Sequence, residues 1–222
     1  EEQLTRLEML EDNPRVICLG GAGTGKTVLA VETARALGAD HNRVVFSCQN
    51  PVLASFLRSR LEGEESVEVI PFAELDGLRQ PAEVLIVDEA QDVLDSDGLA
   101  IVDRVVEGGL KGGRWRIFLD PNTQAAFSKR YDPGLLAQLQ QHGATGSLTR
   151  NCRNTSDVVM NIQLMTGADL GVATLGPGPG VDTTTYRSVA EAATLAEEKL
   201  RALFDEGVSP SDISLLSPLS FE

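Results

Sequence analysis

Residues 20–27 read Gly20-Gly21-Ala22-Gly23-Thr24-Gly25-Lys26-Thr27. The spacing is G-x-x-x-x-G-K-[ST], between an apolar run and a helical pattern. Glycines allow the backbone angles that turn successive N–H groups inward around phosphate oxygens. The helix that follows adds the positive end of its dipole. On this pattern Gly21, Ala22, Gly23, Thr24, Gly25, Lys26 and Thr27 are expected to hold a nucleotide. The Lys26 ammonium reaches the β- and γ-phosphates, and the Thr27 hydroxyl binds Mg²⁺. The bland alternative is a glycine-rich turn carrying a surface lysine.

A second cluster stands about 60 residues later, where Val84-Leu85-Ile86-Val87 runs into Asp88-Glu89. In a phosphate-binding-loop fold the first acid holds the magnesium shell, so Thr27 and Asp88 are the expected metal residues. Glu89 then orients or deprotonates an attacking water. The alternative is two solvated acids in a loop. Adjacent acids with no basic lid segment fit hydrolysis by water better than transfer to an acceptor.

These residues need strands and helices to position them. Val16–Leu19, Val44–Cys48, Val67–Ile70, Val84–Val87 and Ile117–Leu119 are short apolar runs that read as buried strands. Residues 26–37 and the segment opened by Asn50-Pro51 read as helices between them. Leu4, Leu7 and Leu10 form a short helical pattern that stops near Asn13-Pro14. The β-α alternation implies an α/β fold with a mostly parallel sheet covered on both faces. Past residue 150 a helix is expected over 155–165, a strand over 183–186, a helix over 189–204 and a strand over 213–216.

Composition sets the limits. The chain has 222 residues, 42% hydrophobic and 23% charged, with 21 glycines and 10 prolines, which excludes disordered and collagen-like classes. No run is long enough for a membrane helix, and the N-terminus lacks a secretory leader pattern. Cys18, Cys48 and Cys152 are odd in number and far apart, so neither a disulfide framework nor a zinc site is expected, and a reducing cytoplasm is the simplest compartment. The net charge is −14, divided as −8 before residue 151 and −6 after it. Neither part is a basic nucleic-acid module, so any polyanion must be met by local basic groups.

The longer string Asp88-Glu89-Ala90-Gln91-Asp92 resembles motif II of superfamily 1 helicases of the UvrD/Rep type. Other segments are similar to the family's motifs in the same order. Phe46-Ser47-Cys48-Gln49-Asn50-Pro51 resembles motif Ia, and Ile70-Pro71-Phe72 with Leu75 resembles the following T-F-H-x-L segment. Phe118-Leu119-Asp120-Pro121-Asn122-Thr123-Gln124 resembles motif III. Leu148-Thr149-Arg150-Asn151-Cys152-Arg153-Asn154 resembles motif IV. The series covers residues 1 to about 165. The compact pattern also resembles the small UvrD-like ATPase modules of bacterial multidomain proteins.

The resemblance implies a RecA-like P-loop NTPase domain over residues 1–150 and the incomplete start of a second RecA-like α/β domain over 151–222. It implies ATP and Mg²⁺ as ligands, and Lys26, Glu89, Gln124 and Arg153 as catalytic. Gln124 senses the γ-phosphate, Arg153 reaches it across the domain cleft, and Gln3 reads adenine. It implies Mg²⁺-dependent ATP hydrolysis as a helicase-like motor core, with single-stranded nucleic acid and the remainder of the second domain, or an attached effector domain, as partners. The rival readings are a regulatory ATP switch that controls a protein partner without moving along a strand, and an inactive scaffold.

Several positions depart from the family. Three residues rather than two separate Asp120 from Gln124. Lys129 stands where an aromatic usually stacks a base, with Phe127 and Tyr131 the nearest aromatics. The space between Thr27 and Asp88 leaves no room for the family's large inserted subdomain. No motif V or VI is read; Arg187 and Arg201 are the remaining candidates for a second γ-phosphate arginine, and neither has a motif-like context. Arg15 and Arg43 are weaker candidates to flank the nucleotide. Arg58 and Arg60 are candidates for phosphate contact or surface ion pairs. His41 and His142 read as exposed, Trp115 as an edge packing residue, Glu62–Glu65 as a solvated loop, and Phe46, Phe56 and Phe72 as core.

Overall fold

A computed structural model describes residues 9, 10, 12–122 and 130–217. The chain divides into two compact units, Glu1–Val181 and Asp182–Glu222. Gln3, Gln124, Lys129 and most of the N-terminal helical pattern lie outside the described residues.

The first unit is built on parallel strands. They are β1 (Arg15–Gly20), β2 (Val44–Cys48), β3 (Val67–Pro71), β4 (Val84–Val87), β5 (Arg114–Leu119) and β6 (Ala144–Leu148). Among the described residues these six form one sheet in the order β3-β2-β4-β5-β1-β6, and every pairing is parallel. Parallel strands need crossovers, and helices supply several of them: α1 (Lys26–Ala39), α2 (Pro51–Arg60), α3 (Ser96–Val105), the single-turn α4 (Gly109–Gly112) and α5 (Pro133–Gln140). All residues of β2 and β4 are buried, which is why these strands read as continuous apolar runs. Two hydrophobic clusters result, one on each face. Val16, Phe46, Ile86 and Phe118 pack with α1 and α2. Val45, Leu85, Trp115 and Ile117 pack with α3 and α5.

Local signals set the helix starts. The Asn50 side chain accepts the N–H groups of Val52 and Leu53 at 2.8 and 3.3 Å, with Pro51 at the first helical position. Asp95 caps α3 through Gly98 N–H at 2.7 Å, and its carboxyl is held below the usual range by the hydrogen bond from Arg130.

A second parallel pair, β7 (Arg150–Thr155) and β8 (Val172–Leu175), is joined by α6 (Ser156–Thr166) and belongs to the first unit. The second unit holds α7 (Val189–Asp205), capped by the Ser188 hydroxyl, which accepts Glu191 N–H at 3.2 Å, and a short 3₁₀ turn over Pro210–Asp212. The strands expected over 183–186 and 213–216 do not form among the described residues. Their apolar residues find no strand partner, and a strand gains its stability from pairing and not from pattern.

Other expectations are corrected. Trp115 is fully buried on an interior strand, and its indole N–H donates to Leu110 O at 3.0 Å. Phe56 is on the exposed side of α2, 47% exposed, under the Arg60 guanidinium; Phe46 and Phe72 are core. His41 is exposed but His142 is half-buried. Arg15 and Arg43 lie at the starts of β1 and β2, the sheet edge opposite the phosphate-binding loop. There Arg15 donates to His142 O at 2.6 Å and Arg43 pairs with Glu68 at 3.5 Å.

Candidate functional site

The sheet's carboxyl-terminal edge gathers the chemistry, because parallel strands all deliver their last residues to one side. β1 runs into the phosphate-binding loop, β4 into Asp88-Glu89, and β5 into Asp120.

The loop is tightly built. Gly25 has φ +92° and stands at the N-terminus of α1, and Gly23 has φ +85°. A Cβ at Gly23 would also stand 2.7 Å from Asn151 Oδ1, so both backbone angle and space demand glycine there. Thr24, 1% exposed, donates from its hydroxyl to Gly21 O at 2.9 Å. Lys26, 6% exposed, donates to Gly20 O at 2.9 Å and Gly21 O at 3.2 Å. An ammonium has three donors, so one remains to meet a phosphate oxygen.

Thr27 and Asp88, 61 residues apart in sequence, meet here. The Thr27 hydroxyl donates to Asp88 Oδ2 at 2.7 Å. Asp88 is fully buried, and its Oδ1 has no hydrogen-bond partner. Burial pushes the Asp88 carboxyl up to about 6, Glu89 adds to the rise, and Thr27 and Lys26 oppose it. A buried carboxylate oxygen left unmatched beside a hydroxyl is the donor set a hard dication takes. The residues therefore fit Mg²⁺, which Thr27 and Asp88 would hold.

Glu89 follows with φ +51°, an uncommon backbone angle for a side chain of this kind. It is half-buried, and its Oε2 accepts Gln91 Nε2 at 2.6 Å. Gln91 in turn accepts Asp120 N–H at 3.1 Å. Nearby Asp92 has a carboxyl raised by burial and by the Glu89 charge.

Residues 150–154 lie on strand β7, against the loop. Asn151, fully buried, donates from Nδ2 to Ala22 O at 2.8 Å and Leu170 O at 3.1 Å. Its Oδ1 accepts the N–H groups of Arg153 and Asn154 at 3.2 and 3.0 Å. Cys152 N–H donates to Gly23 O at 3.0 Å. These bonds tie the carbonyls of Ala22 and Gly23 to β7. Arg153 is exposed, two residues along the same strand. Asn151 and the amide of Gln91 were not singled out from sequence for any role. The contacts that tie them across the fold, Gln91 to Asp120 N–H and Asn151 to Ala22 O and Leu170 O, are to backbone groups distant in sequence, which residue type does not mark.

Arg58, by contrast, donates to Val69 O at 3.1 Å at the β3 edge, and neither it nor Arg60 has an ion-pair partner among the described contacts. Cys48 is a free thiol, pushed up to about 11 by burial and by Asp88. No cluster of three or more His, Cys, Asp or Glu suited to a metal occurs among the described residues. No helix among them is long and apolar enough to cross a membrane.

Residues 15–112 match the family model described as Schlafen group 3, DNA/RNA helicase domain, a little under half of the chain. No curated protein matches. Among solved structures, domain III of the Thermotoga maritima replication initiation protein DnaA is similar at 15% identity and TM-score 0.39, over 66% of this chain and 59% of that one. AMPPCP-bound DnaA from Aquifex aeolicus is similar at 12% identity and TM-score 0.42, over 92% and 60%. The flagellar accessory protein FlaH from Methanocaldococcus jannaschii is similar at 14% identity and TM-score 0.39, over 63% and 74%. The chain thus spans about three fifths of the length of the DnaA chains it resembles. Geometry and family model agree at a general level: the chain holds a parallel α/β sheet with a phosphate-binding loop after its first strand, and residues 15–112 are similar to a helicase domain.

Proposed function

We propose that this chain binds and hydrolyses ATP with Mg²⁺ as the motor core of a superfamily 1 helicase-like protein. The observation that carries the reading is the meeting of Thr27 and Asp88 at 2.7 Å with the second Asp88 oxygen buried and unmatched. Bound there, Mg²⁺ would neutralise phosphate charge. The loop N–H groups and Lys26 grip the phosphates and stabilise charge on the transferring group. Glu89 takes a proton from water as the water oxygen bonds to the γ-phosphorus. The bond from that phosphorus to the β–γ bridging oxygen breaks, and ADP and phosphate leave.

Gln124 as γ-phosphate sensor, Gln3 as adenine reader and Arg153 as a γ-phosphate arginine complete the proposed site. We assign 1–150 to the first RecA-like domain and 151–222 to the start of a second. Single-stranded nucleic acid is the proposed partner. The net charge of −14 favours a second reading, an ATP switch that acts on a protein partner or an attached effector domain.

The test is steady-state ATP hydrolysis with and without single-stranded DNA or RNA, with Glu89→Gln as the blank. Stimulation by a strand supports the motor. Hydrolysis indifferent to both strands selects the switch. Turnover by Glu89→Gln equal to the parent overturns the hydrolytic assignment.

A further inference from the structure

Gln91 is 2% exposed and stands between the ends of two adjacent strands. Its amide has one orientation that satisfies both neighbours. Asp120 N–H can only donate, so it fixes the amide oxygen toward β5. The amide nitrogen is thereby directed at Glu89 Oε2, 2.6 Å away. A buried donor held by the backbone on one side is a rigid support for a carboxylate on the other.

The connection continues. Asp120 Oδ1 accepts Asn122 N–H at 2.9 Å, and Asn122 Nδ2 donates to Asp169 O at 2.9 Å. The next residue, Leu170, offers its carbonyl to Asn151 Nδ2, which also holds Ala22 in the phosphate-binding loop. Side chains and backbone groups thus run from Glu89 around the site to the loop itself.

We propose that Gln91 is a positioning residue for the Glu89 carboxylate, and that the series Gln91, Asp120, Asn122 and Asp169 couples that carboxylate to the segment covering the phosphate-binding loop. The proposal rests on the hydrolytic reading above and adds how its carboxylate is aimed. One oxygen of Glu89 is held by Gln91, which leaves the other to meet water. A shift of the covering segment at Asp169 would reach Glu89 through Asn122 and the end of β5, so turnover would respond to that segment without a change in nucleotide grip.

The experiment uses the full chain and four variants: Gln91→Ala, Gln91→Glu, Asn122→Ala and the Gln91→Ala/Asn122→Ala pair. It measures kcat and, separately, the Kd of a fluorescent ATP analogue. Gln91→Glu is the discriminating variant. It keeps an oxygen for Asp120 N–H, and so keeps the tie between strands, but replaces the donor facing Glu89 with an acceptor. Gln91→Ala and Gln91→Glu are expected to lower kcat on the order of 10- to 100-fold, a share of the effect of a general base, with Kd within about twofold. Asn122→Ala is expected to lower kcat by about threefold, and the pair to be no worse than Gln91→Ala alone, as coupled groups behave. A parental kcat in Gln91→Glu would reduce the residue to a structural tie and overturn the proposal. Losses of kcat that multiply in the pair would overturn the coupling, and losses matched in Kd would overturn the positioning role.

The side-chain amide resonance of Gln91 separates these failures from failure of the hydrolytic reading. If parent and Glu89→Gln turn over equally, hydrolysis by Glu89 is wrong, yet that resonance still moves in Glu89→Gln when the contact exists. A resonance that stays in place overturns the contact itself.

Discussion

The phosphate-binding loop and the segment that covers it hold the same few atoms by different means. On the loop side, Lys26 lies inside the curl on two carbonyls, and Asp88 waits behind it with an unmatched oxygen. On the covering side, Asn151, Cys152 N–H and Asn122 make neutral contacts to Ala22, Gly23 and Asp169. The loop side carries charge that is costly to bury unless a ligand completes it. The covering side carries hydrogen bonds that are already complete. The first arrangement suits binding and chemistry, the second suits alignment, and variants of the two sides should therefore differ in kind.

The largest effect is expected at Glu89. Glu89→Gln lowers ATP turnover on the order of 10²-fold or more while nucleotide affinity is kept, read by single-turnover hydrolysis beside equilibrium binding. Lys26→Ala follows: affinity for a fluorescent ATP analogue falls on the order of 10²-fold, as for loss of one preorganised charged donor. Unchanged affinity would break the contrast on its loop side.

Asp88→Asn tests the buried charge by stability. The carboxyl sits at about 6 in the folded chain against 3.8 in the unfolded one, so the folded state binds the proton more readily. The parent therefore loses stability as pH rises from about 4 to 6, and above that carries the full cost, about 3 kcal/mol. The asparagine escapes that charge but leaves an amide donor to satisfy. Its Tm, without nucleotide or magnesium, should rise by about 3–6 °C at pH 7, with the gain fading toward pH 4. A variant melting below its parent at pH 7 would remove the argument that Asp88 is held charged for a ligand.

Asn151→Ala sharpens the covering side. Losing its donor leaves the carbonyls of Ala22 and Leu170 unmatched, at about 1–3 kcal/mol. Melting temperature and nucleotide affinity should fall together through the lost hold on Ala22, and kcat at saturation should fall by about threefold as the freed Leu170 side disturbs Asn122 and Glu89. The smallest effect belongs far from both sides: Arg201→Ala loses an exposed pair with Glu197 on α7 and should move Tm by about 1 °C or less.

Much of this was legible in the residues. Val84–Val87 reads as a buried strand because all four residues are apolar, and the structure buries all four. Gly23 reads as a backbone requirement, and its φ of +85° bears that out. Less was legible where pattern stood in for contact. The strands expected at 183–186 and 213–216 gained no pairing partner among the described residues. Phe56 had the right type for a core position, but its place on α2 turns it outward.

By itself, the sequence determined the parallel α/β class, the phosphate-binding loop and the acidic end of β4. Glycine angles, apolar runs and the order of charged residues are local properties, and local properties survive in a linear string. Only the tertiary structure decided that the Gln91 amide oxygen meets Asp120 N–H just past β5, and that Asn151 grips a loop 129 residues earlier in the chain. Those bonds join an amide to backbone groups that every residue possesses. Which backbone group is met depends on strand order and register, so residue type alone does not mark it.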